Sequence, residues 1–310
     1  MTLKQIDDKT AEVKKLSSLY NKSSNKRQKS LIFEEIEKIK SGYDAEKENA
    51  YYLDVRLRDN KNLLLINDIR LECDGMVAQI DHMIITRFGI ELLESKSSKG
   101  QMTINKDGSI SLKNRNRATV TLPNPLEQSV RHAKVIRAFL DKMGLMPKRI
   151  SALGGVNIES RVLISPKTTL TNEKLPDCFF RADSFITARN KEIDKMSLLA
   201  TIPLASKAYS IGTAHKIANA IIGAHKPLHI NYEDKFKINN MYKQEDGLQK
   251  KVKSNENFQE EQTCPRCKKG ILVKRHSNKK ESQLKYGSGE FYGCNRYPKC
   301  RYTVAKIGIK

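Results

Sequence analysis

The chain has 310 residues, with 57 Lys and Arg against 35 Asp and Glu for a formal net charge of +22, six cysteines and no tryptophan. That length buries a sizeable core and accommodates one large domain plus a smaller one, and the charge points to a polyanionic partner, nucleic acid before anionic membrane. The opening MTLKQIDDKTAEVKK lacks the apolar centre of a signal peptide, and no apolar run approaches the roughly 18 residues of a membrane span, so a soluble protein with reduced thiols in a cytoplasmic compartment is expected.

Residues 1–40 form a Lys/Glu-rich arm. Leu16, Leu19 and Tyr20, then Leu31, Ile32, Ile36 and Ile39, recur at helical spacing, which predicts two exposed helices broken by the polar stretch from Asn21 to Ser30. A separate helix is expected after Gly42, with Ala50 and Leu53 on its apolar side; Glu46 on that helix reads from residue type alone as a surface or first-turn acid. Leu63–Ile66 and Ile69–Leu71 supply strand material, and Cys73-Asp74-Gly75 a turn. Cys73 reads as a small buried hydrophobe rather than a nucleophile.

The stretch from Gln79 to Gly100 predicts two strands joined at Arg87-Phe88-Gly89. Three charges sit where a core should be: Asp81 on the first strand, Glu94 and Lys96 at the end of the second. Alternation puts Glu94 and Lys96 on one face, about 7 Å apart at about 3.3 Å per residue. Two carboxylates suit a hard divalent cation, and a neighbouring ammonium suits an attacked phosphate, so metal-assisted phosphodiester cleavage is one reading. A salt-bridged hairpin end is the other. Alternation turns His82 away from Asp81, toward a structural part.

A hairpin follows around Lys106-Asp107-Gly108, then a basic stretch from Asn114 to Thr119 and a stop at Pro123-Asn124-Pro125. The helix from about Leu126 to Met143 should bury Val130, Ala133, Ile136, Leu140 and Met143, with Arg131, Lys134 and Arg137 elsewhere and Glu127 and Gln128 in its first turn. Val162–Ser165 reads as a buried strand, Cys178–Ile186 as a second apolar piece and Ala214–Gly223 as a helix packed on the sheet. The sum is an α/β sandwich around a mixed sheet. The chain then turns polar, with a last edge strand at His229–Tyr232 as an option.

Cys264-Pro265-Arg266-Cys267 and Cys294-x5-Cys300, separated by two short strands, have the spacing of a closed four-thiolate Zn²⁺ site that folds about 50 residues around little core. From Thr263 to Lys310 there are 13 Lys and Arg against two acids. Tyr286, Phe291, Tyr292, Tyr297 and Tyr302 lie among them. Interleaved aromatics and cations suit stacking on unpaired bases, although some of these rings have to form the ribbon's own core.

Two resemblances add to this. CPRCKKGILVKR and FYGCNRYPKCRYT resemble the C4 zinc finger at the C-terminus of bacterial type IA topoisomerases, which implies single-stranded DNA binding; nothing else resembles the topoisomerase core. From Gly42 to Leu140 the chain resembles the nuclease-related (NERD) domain, a branch of the PD-(D/E)xK superfamily, through Glu46 with Ala50 and Leu53, Gln79-Ile80-Asp81-His82, Gly89, Glu94-Ser95-Lys96 with Gly100, and Asn124-Pro125 with Gln128.

The second resemblance implies a restriction-endonuclease-like fold with Asp81 and Glu94 as ligands of Mg²⁺ or Mn²⁺ and Lys96 as the catalytic lysine. Glu46 would be a further acidic site residue and Gln128 an accessory polar one. Ile80 stands where the superfamily has proline, and Ala45 where the family usually has glycine. The expected organisation is an arm (1–40), a NERD domain (41–228), a linker (229–262) and a C4 finger (263–310). The expected activity is that of a Mg²⁺-dependent nuclease acting on DNA, with an inert DNA-binding adaptor as the alternative and a helicase or defence complex as a possible partner.

Overall fold

Strands that are apolar on both faces need cover on both faces, and in the computed structural model helices supply it; the structure describes residues 1–113, 118–238, 263–276 and 290–305. The chain runs β1 (Thr2–Lys4), α1 (Thr10–Lys22), α2 (Lys26–Leu57), β2 (Leu64–Cys73), β3 (Met76–Thr86), β4 (Gly89–Lys96), β5 (Gln101–Ile104), β6 (Ile110–Lys113) and β7 (Val120–Leu122). It continues with α3 (Pro125–Lys142), α4 (Lys148–Ala152), β8 (Ile158–Ile164), β9 (Thr169–Leu170), β10 (Phe179–Arg181), α5 (Phe185–Asp194), α6 (Leu198–Ser206), α7 (Ile211–Gly223) and α8 (Tyr232–Lys235). Three short strands, β11 (Leu272–His276), β12 (Glu290–Cys294) and β13 (Thr303–Ala305), close the described chain.

Residues 1–8 and 41–229 form one unit. Its six-stranded sheet has the order β1-β2-β3-β4-β8-β10, and it is mixed: β2, β3 and β4 are antiparallel, while β4–β8 and β8–β10 are parallel. On one face Ile66, Ile80, Met83 and Leu92 pack beneath Ala133, Ile136 and Leu140 of α3 and Ile217 and Ile221 of α7. On the other, Leu65, Ile84 and Leu93 pack beneath Leu53 and Leu57 of α2 and Phe185 of α5. A smaller sheet, β7-β6-β5-β9, seals Met102, Ile104 and Ile110 over Val162 and Ile164 of β8. This is the expected α/β class, a mixed sheet flanked by helices.

Residues 9–40 group with the chain after His229 in a second unit. Here the first helices are not exposed rods: Leu16, Leu19, Ile32 and Ile36 close a small core with Tyr232 and Ile238. The polar break is also shorter than expected, confined to Ser23–Asn25, and α2 runs through Gly42 without stopping. A single interior glycine costs a helix only about 1 kcal/mol. Neither proline nor an αL cap stands there to end it. Around Tyr232 the chain forms the short helix α8, capped by the Asn231 side chain, and not an edge strand.

α3 begins where the proline pair allows it to. Asn124 accepts the Leu126 N–H at 2.9 Å and Pro125 occupies the first turn. Its buried stripe is Ser129, His132, Ala133, Val135, Ile136, Phe139 and Leu140, while Val130 and Met143 are exposed. Among the described residues no helix is long and apolar enough to cross a membrane. The stretch 239–262, most of the expected linker, and Asn114–Arg117 and Tyr286 lie outside the described residues.

Candidate functional sites

The site in the sheet begins with a defect in the ladder. β2 and β3 pair Asn67 with His82 and Ile69 with Ile80, and the pairing skips Asp68 and Asp81, with Asp68 at φ 51°. So Leu64–Ile66 and Ile69–Leu71 are one kinked strand and not two pieces. Two adjacent residues on each strand separate side chains that face the same core. The β3–β4 ladder likewise stops at His82 opposite Leu93. Beyond it the Ser95 N–H donates to Asp81 Oδ2 at 2.7 Å, so a carboxylate replaces the missing backbone acceptor.

β4 remains paired to β8 through Glu94, Ser95 and Lys96, which fixes those residues although β3 has left them. Lys96 Nζ donates to Glu94 Oε1 at 2.5 Å, with Glu94 only 7% exposed. Burial, then the charge of Glu94, then that of Glu46 push the Asp81 carboxyl well above the usual range, against the pull of the Ser95 N–H and Lys96. Asp81, Glu94 and Lys96 therefore converge, with Glu46 reaching the same field from α2. Negative charge that the protein cannot fully offset is what a bound cation relieves, and carboxylate oxygens are the donors a hard cation takes. The three carboxylates are nonetheless less tightly gathered than the thiols described below.

Gln128 is half-buried in the first turns of α3, one turn before His132 on the same helical face. His132, which the sequence reading does not name, lies within electrostatic reach of Glu94 and Lys96. Burial pushes its imidazole down, while Glu94 pulls it up and Arg131 and Lys96 push it further down, so α3 lies over the Glu94–Lys96 pair. The available signal was the i, i+4 spacing from Gln128. His82 faces the α2 side, fully buried, and burial drives it down to about 3.

The second site is built differently. In the β11-β12-β13 ribbon the four sulfurs of Cys264, Cys267, Cys294 and Cys300 all lie within 4.8 Å of one another, the only such group among the described residues. Sγ of Cys264 is 3.8 Å from Cys300 and that of Cys267 is 3.7 Å from Cys294, and none is in a disulfide. These four cysteines are positioned to hold one metal ion. Gly270 is required for the approach: a Cβ there would meet Cys294 Sγ at 2.7 Å and Asn295 Oδ1 at 2.6 Å. The backbone N–H of Lys269 pulls the Cys267 thiol below its ordinary value, and burial pushes Cys294 above its own.

Among the described residues the ribbon's core is otherwise Leu272, with Tyr292, Tyr302 and Val304 half-buried against the cysteines. Tyr297 is 61% exposed, with the Arg275 guanidinium 6.0 Å from its ring.

No curated protein and no solved structure matches the chain. One family model does, that of the nuclease-related domain, over residues 41–165, a span that takes in Glu46, Asp81, Glu94, Lys96 and Gln128. Residues 41–165 of the chain thus match the NERD, or nuclease-related domain, family model.

Proposed function

We propose that the protein is a metal-dependent nuclease that hydrolyses phosphodiester bonds of DNA and uses its C-terminal ribbon as a Zn²⁺ finger gripping single-stranded DNA. The single observation that supports the hydrolytic part is the convergence of Asp81, Glu94 and Lys96 at a break in the sheet, inside the span matched by the nuclease-related family. Asp81 and Glu94 would hold Mg²⁺ or Mn²⁺, and the ion's part is to polarise the phosphate and lower the pKa of a bound water. Lys96 neutralises charge that develops on the phosphate and orients the attacking water. Glu46 adds a third carboxylate, and Gln128 and His132 line the α3 side.

The overall charge and the exposed ring of Tyr297 support DNA as the polyanion, since cations draw in the backbone and an aromatic face stacks an unpaired base. Four thiolates in a nearly coreless ribbon suit Zn²⁺ as a structural ion. A second reading draws on the direct Lys96–Glu94 ion pair, which is also what an inert, salt-bridged hairpin end would contain. In that case the protein is a DNA-binding adaptor that tethers a helicase or defence complex.

The test is cleavage of circular and linear, single- and double-stranded substrates with and without Mg²⁺ or Mn²⁺. Glu94→Ala and Lys96→Ala are expected to lose at least about 100-fold in divalent-dependent rate. A parent with steeply salt-dependent DNA binding and no divalent-dependent turnover would establish the adaptor instead.

A further inference from the structure

On the reverse side of the sheet from Glu94 and Lys96 lies a polar string to which the proposed hydrolysis gives no part. Asn49, Asn67 and His82 are each fully buried in a layer otherwise filled by Leu53, Leu65, Ile84 and Leu93. The hydrogen bonds can be assigned one direction throughout. Asn67 Nδ2 donates to the Lys4 carbonyl at 3.1 Å, so its Oδ1 is the acceptor that faces His82 Nδ1 at 2.8 Å. His82 therefore carries its proton on Nδ1. Its Nε2 accepts the Ser95 Oγ–H at 2.9 Å, and Ser95 Oγ in turn accepts from Asn49 Nδ2 at 2.9 Å.

Ser95 is the residue between Glu94 and Lys96, and its backbone N–H is the donor that holds Asp81. One residue is thus clamped by its side chain to β3 and α2, and by its backbone to the carboxylate across the opened ladder. Burying such a string costs more than the aliphatic packing around it, and Asn49 Oδ1 stays buried with no partner among the described residues. The string sits at the point where β3 and β4 separate and the ladder no longer fixes their spacing.

We propose that His82, Ser95 and Asn49 are positioning residues for phosphodiester hydrolysis: they replace the missing β3–β4 hydrogen bonds and hold Asp81 at a fixed spacing from Glu94 and Lys96. This rests on the nuclease reading and adds to it a set of residues that touch neither metal nor substrate. Outer partners of this kind typically control metal affinity or rate by about 10- to 100-fold.

The experiment uses the full chain and three variants. His82→Asn keeps a donor for Asn67 and removes the acceptor for Ser95, Ser95→Ala removes the other end of the same bond, and Ser95→Thr restores a hydroxyl. Turnover, KM for DNA and Mn²⁺ binding by paramagnetic resonance are measured well below each melting temperature, with Asp81→Ala as the binding background. His82→Asn and Ser95→Ala are each expected to lose about 10- to 100-fold in kcat and to bind Mn²⁺ more weakly, with KM within about twofold. The double variant should lose no more than either single one, because both cut one bond, and Ser95→Thr should recover most of the loss.

Variants that melt earlier but keep kcat and Mn²⁺ affinity would overturn the proposal while leaving the nuclease reading intact. A parent that does not cut, yet binds Mn²⁺ less well once His82 is changed, would retain the positioning role and remove hydrolysis. A parent with neither cleavage nor Mn²⁺ binding removes both.

Discussion

The two candidate sites are held together by opposite means. In the nuclease-related domain the acidic residues sit on strands already fixed by a large two-faced core, and the fold forces like charges together before any ion arrives. In the ribbon, four sulfurs surround a space that Leu272 and a few half-buried side chains cannot fill, so the ligand set is itself most of the core. The first site is expected to keep its shape without an ion, and the second is not.

The largest expected effect tests that contrast. A structural Zn²⁺ contributes on the order of 10 kcal/mol to a module of this kind. Chelation, or Cys264→Ser, is expected to abolish ordered structure in the ribbon while amide exchange across β2, β3 and β4 stays slow. Gly270→Ala should act in the same direction by displacing Cys294 Sγ. If chelation melted the sheet and spared the ribbon, the two sites would have been assigned the wrong way round.

Next in size is the core beneath the sheet site. Leu93 is 1% exposed and packs with Leu53, Leu65 and Ile84, so Leu93→Ala should cost about 2–5 kcal/mol in denaturant unfolding of this domain and nothing in the ribbon. Gly89→Ala should cost about 1–3 kcal/mol: the residue has φ 152°, and a Cβ would meet the Asn157 carbonyl oxygen at 2.5 Å. A neutral outcome at Gly89 would mean that the hairpin turn and the strand beside it are not packed as described.

The effect that is smallest at neutral pH is electrostatic, because it develops only in acid. His82 titrates near 3 in the fold and near 6.5 when unfolded, so between those values the unfolded chain binds more protons. Its contribution is complete above about pH 6.5 and is lost as pH falls toward 3, at up to about 1.4 kcal/mol per unit. Asp81 works the other way, because its raised carboxyl lets the folded state hold the extra proton. Comparing the parent with His82→Asn isolates the histidine. The variant should show a shallower loss of stability in acid, and identical slopes would remove His82 from the buried neutral state described here.

Much of the architecture was legible because it follows from period and composition. The hairpin turn at Gly89, the proline stop before α3 and the four cysteines each announce themselves locally. What was not legible depended on partners remote in sequence. α1 and the start of α2 read as exposed because the residues that cover them, Tyr232 and Ile238, lie some 200 positions away. A hydrophobic count favours Val130 and Met143 over Ser129 and His132, and so sets the buried stripe of α3 too far round.

The same limit applied at the site. Asp81, Glu94 and Lys96 were readable from strand alternation and from the family likeness. Their setting was not: the skipped pair at Asp68 and Asp81, which lets a carboxylate take over a strand hydrogen bond, leaves no mark in hydrophobic pattern. Asn49 and Ser95 therefore had no visible role until α2 and β4 were brought together.

The most direct measurement follows Asp81→Ala in the full chain with a supercoiled plasmid and a labelled single strand, scoring cleavage and DNA retention in the same sample with Mg²⁺ present. Cleavage is expected to fall at least about 100-fold with retention within about twofold, because the ribbon is untouched. Divalent-dependent cleavage that persists at the parent's rate would contradict it.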